Sequence, residues 1–227
     1  MKSLLSSILL MLISSTALSW SLSDLTNTDA SGGLRQALEQ GANQAVSTLG
    51  KEDGFLLNKE VKIPLPPRLK KAEKWMRLAG LGAQADDLVL AMNRAAEAAV
   101  PEAKPLLLDA VRSMSVNDAK KILKGGDDSV TQFFKAKTSD ALMQKFLPVV
   151  QKYTANVDLA QKYNQVASQG LQLGLIRKED ADLDGYVARR ALDGVYKIIA
   201  KEEKAIRANP AAAVGSLAQR VFGSLGK

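Results

Sequence analysis

Apolar positions recur three and four residues apart along most of this chain, the spacing of a helix with one buried face. Leu34, Leu38, Ala42, Ala45 and Leu49 form one such stripe between Gly33 and Gly50, where glycine is a stop signal. Pro66 and Pro67 open a helix over 68–79, ended by Gly80. The central stretch, 86–111, sets Leu88, Met92, Ala95 and Ala99 on one face, with Val89, Ala96 and Val100 beside them. Leu90, Asn93 and Glu97 fall roughly opposite, so hardly any face is plainly wet and burial on most sides is expected. Pro101 and Pro105 interrupt this run. A proline inside a helix removes a donor and clashes with the preceding turn, which predicts a break, with Pro105 in the first turn of a second segment over 106–114.

Further along, Ser115 and Asp118 make a capping box for a helix over 116–124, and Gly125-Gly126 make a turn. Asp127 or Asp128 caps a short helix to Lys137; Thr138 or Ser139 caps another, kinked at Pro148. Asn156 or Asp158 starts a helix carrying Leu159, Tyr163 and Val166, and 180–208 is the last long helix. Asn209-Pro210 opens a terminal helix whose Val214, Leu217, Val221, Phe222 and Leu225 are expected to dock on the core. Only Phe55 to Pro67 has β character, through alternating Val61, Ile63 and Leu65, and its prolines confine it to an edge ribbon or an extended segment. The predicted fold is all-α, a single-domain bundle of roughly nine helices with at most one short β ribbon near 55–65.

Composition narrows the chemistry. The 227 residues include neither cysteine nor histidine, which excludes disulfides, thiolate nucleophiles and the usual general base and transition-metal ligand. Any enzyme here works with Asp, Glu, Lys, Ser, Thr or Tyr, and no cofactor or metal is expected. Residues 1–19 read as a secretory signal peptide: Lys2, an apolar run from Leu4 to Ile13, and the small-x-small site Ala17-Leu18-Ser19. Residues 20–30 are polar and expected to be loose, and 31–227 form the domain. No cysteine follows the apolar run, so a free periplasmic protein is expected rather than a lipoprotein, with no transmembrane segment after cleavage.

Several separated motifs agree in order with one family: Met92 to Glu97 (MNRAAE), Phe55 to Pro66 (FLLNKEVKIPLP), Asp118-Ala119, Glu203 to Pro210 (EKAIRANP) and Val221-Phe222-Gly223. In these the chain resembles an exported bacterial domain-of-unknown-function family, number four-one-nine-seven. Met92 stands where that family more often has leucine, and the lipoprotein cysteine of many members is missing. The resemblance implies an envelope location and brings no activity, cofactor or catalytic residue.

The residues themselves nominate four places. Asn93, Arg94 and Glu97 are polar in a greasy helix, and Asn93 and Glu97, four apart, can touch. Glu203 and Arg207 lie on or beside the apolar stripe of Leu192, Tyr196, Ile199 and Ile206. The two sets are expected to face each other, as a satisfied network that fixes helix register or, alternatively, as a ligand pocket. Secondly, Asp180 to Gly185 begins like a calcium loop, but Ala191 stands where a bidentate glutamate belongs, so it reads as an acidic helix start. Thirdly, Arg68, Lys70, Lys71, Lys74 and Arg77 make a basic helix; Trp75 is expected to pack inward and leave the cations on a solvated face, with an anionic membrane or envelope polymer as the alternative. Fourthly, the terminal helix could meet a membrane or partner instead of the core. An exported protein rarely meets nucleic acid, so none is expected. The leading function is non-catalytic binding of an envelope component or protein partner. Two alternatives stand: a peripheral binder of anionic membrane surfaces, and a carboxylate-dependent peptidoglycan-active enzyme using Glu97 or Glu203, whose carboxyl pKa the nearby arginines are expected to lower.

Overall fold

A computed structural model describes residues 27–126, 128–173 and 181–224. The leader expected over 1–19, residues 20–26, Asp180 and Leu225 lie outside that range. The elements are α1 (Asn27–Leu49), α2 (Pro67–Leu78), α3 (Gly82–Ala99), a 3-10 turn (Val100–Glu102), α4 (Ala103–Arg112), α5 (Val116–Lys124), α6 (Ser129–Thr154), α7 (Asp158–Gln172), α8 (Leu183–Ala208), a 3-10 turn (Pro210–Ala212) and α9 (Ser216–Gly223). The fold is all-α in one domain, with no strand among the described residues. No described helix is long and apolar enough to cross a membrane.

The core forms where α6 and α8 pack together, with α3 against α6 and α1 against α8. Each brings the stripe its periodicity specifies: Leu34, Leu38, Ala42 and Leu49 from α1, Leu142, Phe146 and Val150 from α6, and Val187, Ala191, Val195 and Ile199 from α8 are all buried. On α3 the alanines 95, 96 and 99 are fully buried, which lets neighbouring helices come close. Only the C-terminal half of α3 is covered nearly all round; Asp86, Asp87 and Leu90 keep a wet face on the N-terminal half.

The punctuation signals are mostly realised. Ser115 Oγ accepts from the Asp118 amide at 3.1 Å and the Asp118 carboxylate accepts back from the Ser115 amide at 3.1 Å, a complete capping box. The Pro101 break is the 3-10 turn, and Pro105 sits in the first turn of α4. Gly80 ends α2 at φ +79°, where the Leu81 amide reaches back to the Met76 carbonyl and the Gly80 amide to that of Arg77.

Four expectations change. The two helices expected over 128–153 are one, α6, which passes through Pro148 without ending. Thr138, expected as a cap, bonds the Phe134 carbonyl and the Tyr196 hydroxyl from inside the helix. Pro210 opens only a 3-10 turn; the chain bends at Gly215, φ +103°, before α9, and Val214 is exposed. Residues 27–30, expected to be loose, belong to α1. Residues 55–65, by contrast, keep to expectation: they are turns and an extended segment, the second of the two forms their prolines allow, and Val61, Ile63 and Leu65 point inward as their alternation requires.

Candidate functional site

The polar residues of α3 clasp the 51–66 segment. Glu97 Oε1 accepts from the amides of Phe55 and Leu56 at 2.9 and 3.0 Å, and Oε2 from Arg94 at 2.7 Å. Arg94 also reaches Asp53 at 2.8 Å and Glu52 at 3.2 Å. Asp53 holds the left-handed backbone that an Asp tolerates better than most residues, φ 63°. One turn earlier, Asn93 accepts from the Ile63 amide at 2.8 Å and donates to the Ile63 carbonyl at 2.9 Å and the Val89 carbonyl at 2.7 Å. Its amide thus pairs with Ile63 as a neighbouring strand would. Phe55, fully buried, lies against Gly194 of α8, where a Cβ would sit 2.7 Å from its ring. Asn93 and Glu97 therefore hold two points of one segment instead of touching each other.

Glu203 and Arg207 on α8 clasp a different turn. Arg207 donates to Glu203 Oε1 at 2.9 Å, to the Ile122 carbonyl at 3.1 Å and to Ser129 Oγ at 3.1 Å, and its guanidinium lies 5.7 Å from the centre of the Phe222 ring. Ser129 Oγ and the Val130 amide approach the same Glu203 oxygen at 3.4 Å. Glu203 Oε2 is buried with no partner, beside a cavity of about 10 Å³ lined chiefly by apolar groups of Ala37, Ile199, Ile206 and Phe222. Burial raises the Glu203 pKa, against the opposing pull of Arg207. The expected lowering by arginine is thus overturned for this residue, because dehydration outweighs one cation. The two polar sets were expected to face each other. Although α3 and α8 pack together, their described hydrogen bonds and ion pairs run to separate segments.

Of the calcium-like carboxylates, Asp182 caps α8 through the Gly185 amide at 2.9 Å, and Asp184 accepts from Thr154 at 2.6 Å. Asp180 is outside the described residues. The terminal helix docks as expected, with Val221 and Phe222 buried and α9 against α1. A groove of about 600 Å³ lies between α1 and the 214–215 bend, lined by Gln36, Gln40, Asn43 and Lys104; of the nominated residues it takes in only Val214, from the terminal segment.

On α2 the inward expectation for Trp75 fails. Leu69 and Met76 pack on the core, whereas Trp75 and Leu78 are each 72% exposed. At about 100° per residue, Trp75 lies roughly a quarter-turn from the Leu69–Met76 line. It falls on the outer face with Leu78, Arg68, Lys71 and Lys74. The ion pairs of α2 are Lys70–Glu73, Arg77–Glu73 and Arg77–Asp86. Arg68, Lys71 and Lys74 enter none among the described residues.

The sequence profile of a family described as protein of unknown function (DUF4197) matches residues 24–223. The chain belongs to that family. Every packed element falls within the matched span, so the clasps of α3 and α8 and the exposed α2 all belong to the DUF4197 region of the chain. No curated protein and no solved structure matches the chain.

Proposed function

We propose that this DUF4197 protein is a non-catalytic helical protein of the periplasm that docks on an envelope component through the outer face of α2. The observation that carries this is Trp75, a large apolar ring left 72% exposed between cations that enter no ion pair among the described residues, on a helix that had Leu69 and Met76 to bury instead. Contiguous exposed apolar patches rimmed by polar residues mark interaction surfaces, and here Trp75 and Leu78, three residues apart, lie on one helix face. Asn93, Arg94 and Glu97 are occupied with the 51–66 segment, which favours a structural role for them. The peptidoglycan-enzyme alternative has one point in favour, the raised pKa of Glu203. Against it, that carboxyl meets only a small cavity rather than a cleft that would admit a glycan.

The test is fractionation of cells that export the protein. N-terminal sequencing should give Trp20 as the first residue. Wild type should be retained with envelope material after osmotic shock, and Trp75→Ala/Leu78→Ser should appear in the soluble periplasmic fraction. Equal release of the two proteins sinks the reading.

A further inference from the structure

We propose that the component α2 recognises is the anionic phospholipid surface itself, with Trp75 and Leu78 entering the boundary between headgroups and acyl chains. This rests on the docking reading above and names its occupant. Three observations carry it.

The first is charge. Among its twelve residues α2 has five cations, Arg68, Lys70, Lys71, Lys74 and Arg77, against one carboxylate, Glu73. Glu73 is spent on Lys70 and Arg77, and Arg77 also on Asp86. The cations left over, Arg68, Lys71 and Lys74, are those on the outer face. Charge that could have been neutralised within the protein is neutralised on the sides of the helix and left open in front.

The second is the mixture on that face. A hydrated anionic polymer would satisfy the cations but offers Leu78 nothing to bury. A protein interface would accept Trp75, but lysine is depleted from such interfaces. Lysine and arginine beside Trp and Leu on a short surface helix is the composition of a helix lying in the membrane interface. An indole suits that depth, with an apolar body and a polar N–H.

The third is preorganisation. The helix is formed before any contact: Leu69 and Met76 seat it, the Arg77–Asp86 pair ties it to α3 at 2.6 Å, and the Gly80 turn ends it. No described residue of α2 is fully buried, so the outer face can meet a flat surface without unpacking the core. Binding then avoids the cost of ordering a segment.

Vesicle co-sedimentation of the chain beginning at Trp20, which contains every packed element described, tests this. Vesicles of phosphatidylglycerol and phosphatidylcholine in equal parts are compared with phosphatidylcholine alone. Strong preference for the anionic vesicles is expected, weakening as salt rises. Lys71→Gln and Lys74→Gln should each lower the affinity roughly fivefold, the equivalent of about 1 kcal/mol per cation. With Trp20 replaced by Phe, Trp75 is the sole tryptophan, and its emission should shift to the blue and be quenched by brominated lipid. Equal binding to both vesicle types, or sedimentation unchanged in Trp75→Ala/Leu78→Ser, overturns the inference. If vesicles fail to bind while envelope retention in cells still depends on Trp75 and Leu78, lipid is excluded and the docking reading survives with a protein or polymer partner. If retention is also independent of them, both fall.

Discussion

Consecutive helices of this protein reverse the usual division between inside and outside. In α3, Asn93 and Glu97 are buried at 0% and 4% exposure, while in α2 the tryptophan stands in solvent. The buried polar groups of α3 are tolerable because each meets a partner that water would otherwise supply. The exposed ring of α2 has no such compensation among the described residues. Polar burial here is thus explained by architecture: 51–66 contains too much proline and turn to hydrogen-bond itself as a helix, so α3 supplies the missing partners. Apolar exposure is left over after folding is accounted for, and it is the better pointer to function.

The largest expected effect comes from breaking the α3 clasp. Glu97→Ala removes the acceptor of two amides and the carboxylate facing Arg94. Deleting one member of a buried ion pair costs about 3–5 kcal/mol, and thermal denaturation should show it as a drop of many degrees. Asn93→Ala should follow at about 1–3 kcal/mol, because the Ile63 peptide loses both partners. Hydrogen exchange should locate the damage in 51–66. Melting indistinguishable from wild type in both variants would show that α3 is not a clasp.

How far these roles could be read from sequence differs between the helices. The apolar stripes, the capping box at Ser115 and the break at Pro101 were legible because each is a short-range pattern. That Asn93 and Glu97 would be buried was legible too, since their helix has hardly a plainly wet face, and Glu203 because it sits on or beside an apolar stripe; Arg207, beside the same stripe, is half-buried. Their partners were not. Glu97 is answered by the backbone amides of Phe55 and Leu56, and every residue but proline has such an amide, so no side-chain pattern announces it. That Asn93 and Glu97 can touch followed from side-chain spacing alone. Trp75 is the opposite case: Leu69, Ala72 and Met76 already made the inward stripe, and helical geometry set Trp75 off it. The expectation of burial rested on residue type, and the angle was the better guide.

A second pair of clasps sharpens the contrast. Glu97 has both oxygens satisfied, whereas Glu203 has its bonds on Oε1 and leaves Oε2 bare. The folded Glu203 carboxyl holds its proton to a higher pH than the unfolded chain, whose value is near 4.5. Between those values unfolding releases a proton, so the Glu203 contribution to stability falls as pH rises from about 4.5 through the folded value. Glu203→Gln cannot ionise and should lack that fall in a series of melts against pH. The carboxylates of Asp86 and Asp118, lowered by hydrogen bonds from Arg77 and Ser115, act in the other direction and lose their contribution as pH falls. Arg207→Ala should be milder at low pH than at neutral pH, because Glu203 can then take up a proton instead of remaining an uncompensated charge. Since Glu97 and Arg207 share no partner, Glu97→Ala/Arg207→Ala should equal the sum of the single changes within about 0.5 kcal/mol. Marked coupling between them would mean that the two clasps communicate.

The smallest expected effect is on α2, and its smallness is the informative part. Trp75→Ala/Leu78→Ser removes two large apolar side chains, a change that in a core would cost several kcal/mol. Here neither is packed: the seat of the helix is Leu69 and Met76, and its ties are Arg77 with Glu73 and Asp86. Changes away from packing, caps and buried charge stay within about 0.5 kcal/mol, and melting should not move measurably. Met76→Ser, one residue from Trp75 but on the inner face, should lower it. The two variants together test whether α2 is divided into a structural face and a free one. If Trp75→Ala/Leu78→Ser melts several degrees below wild type, the ring contributes to folding and its exposure is no longer a pointer to a partner. If it melts as wild type does while Met76→Ser does not, then a tryptophan that folding does not require is kept on the surface beside Arg68, Lys71 and Lys74, which enter no ion pair among the described residues, and a role outside the fold is what remains to explain it.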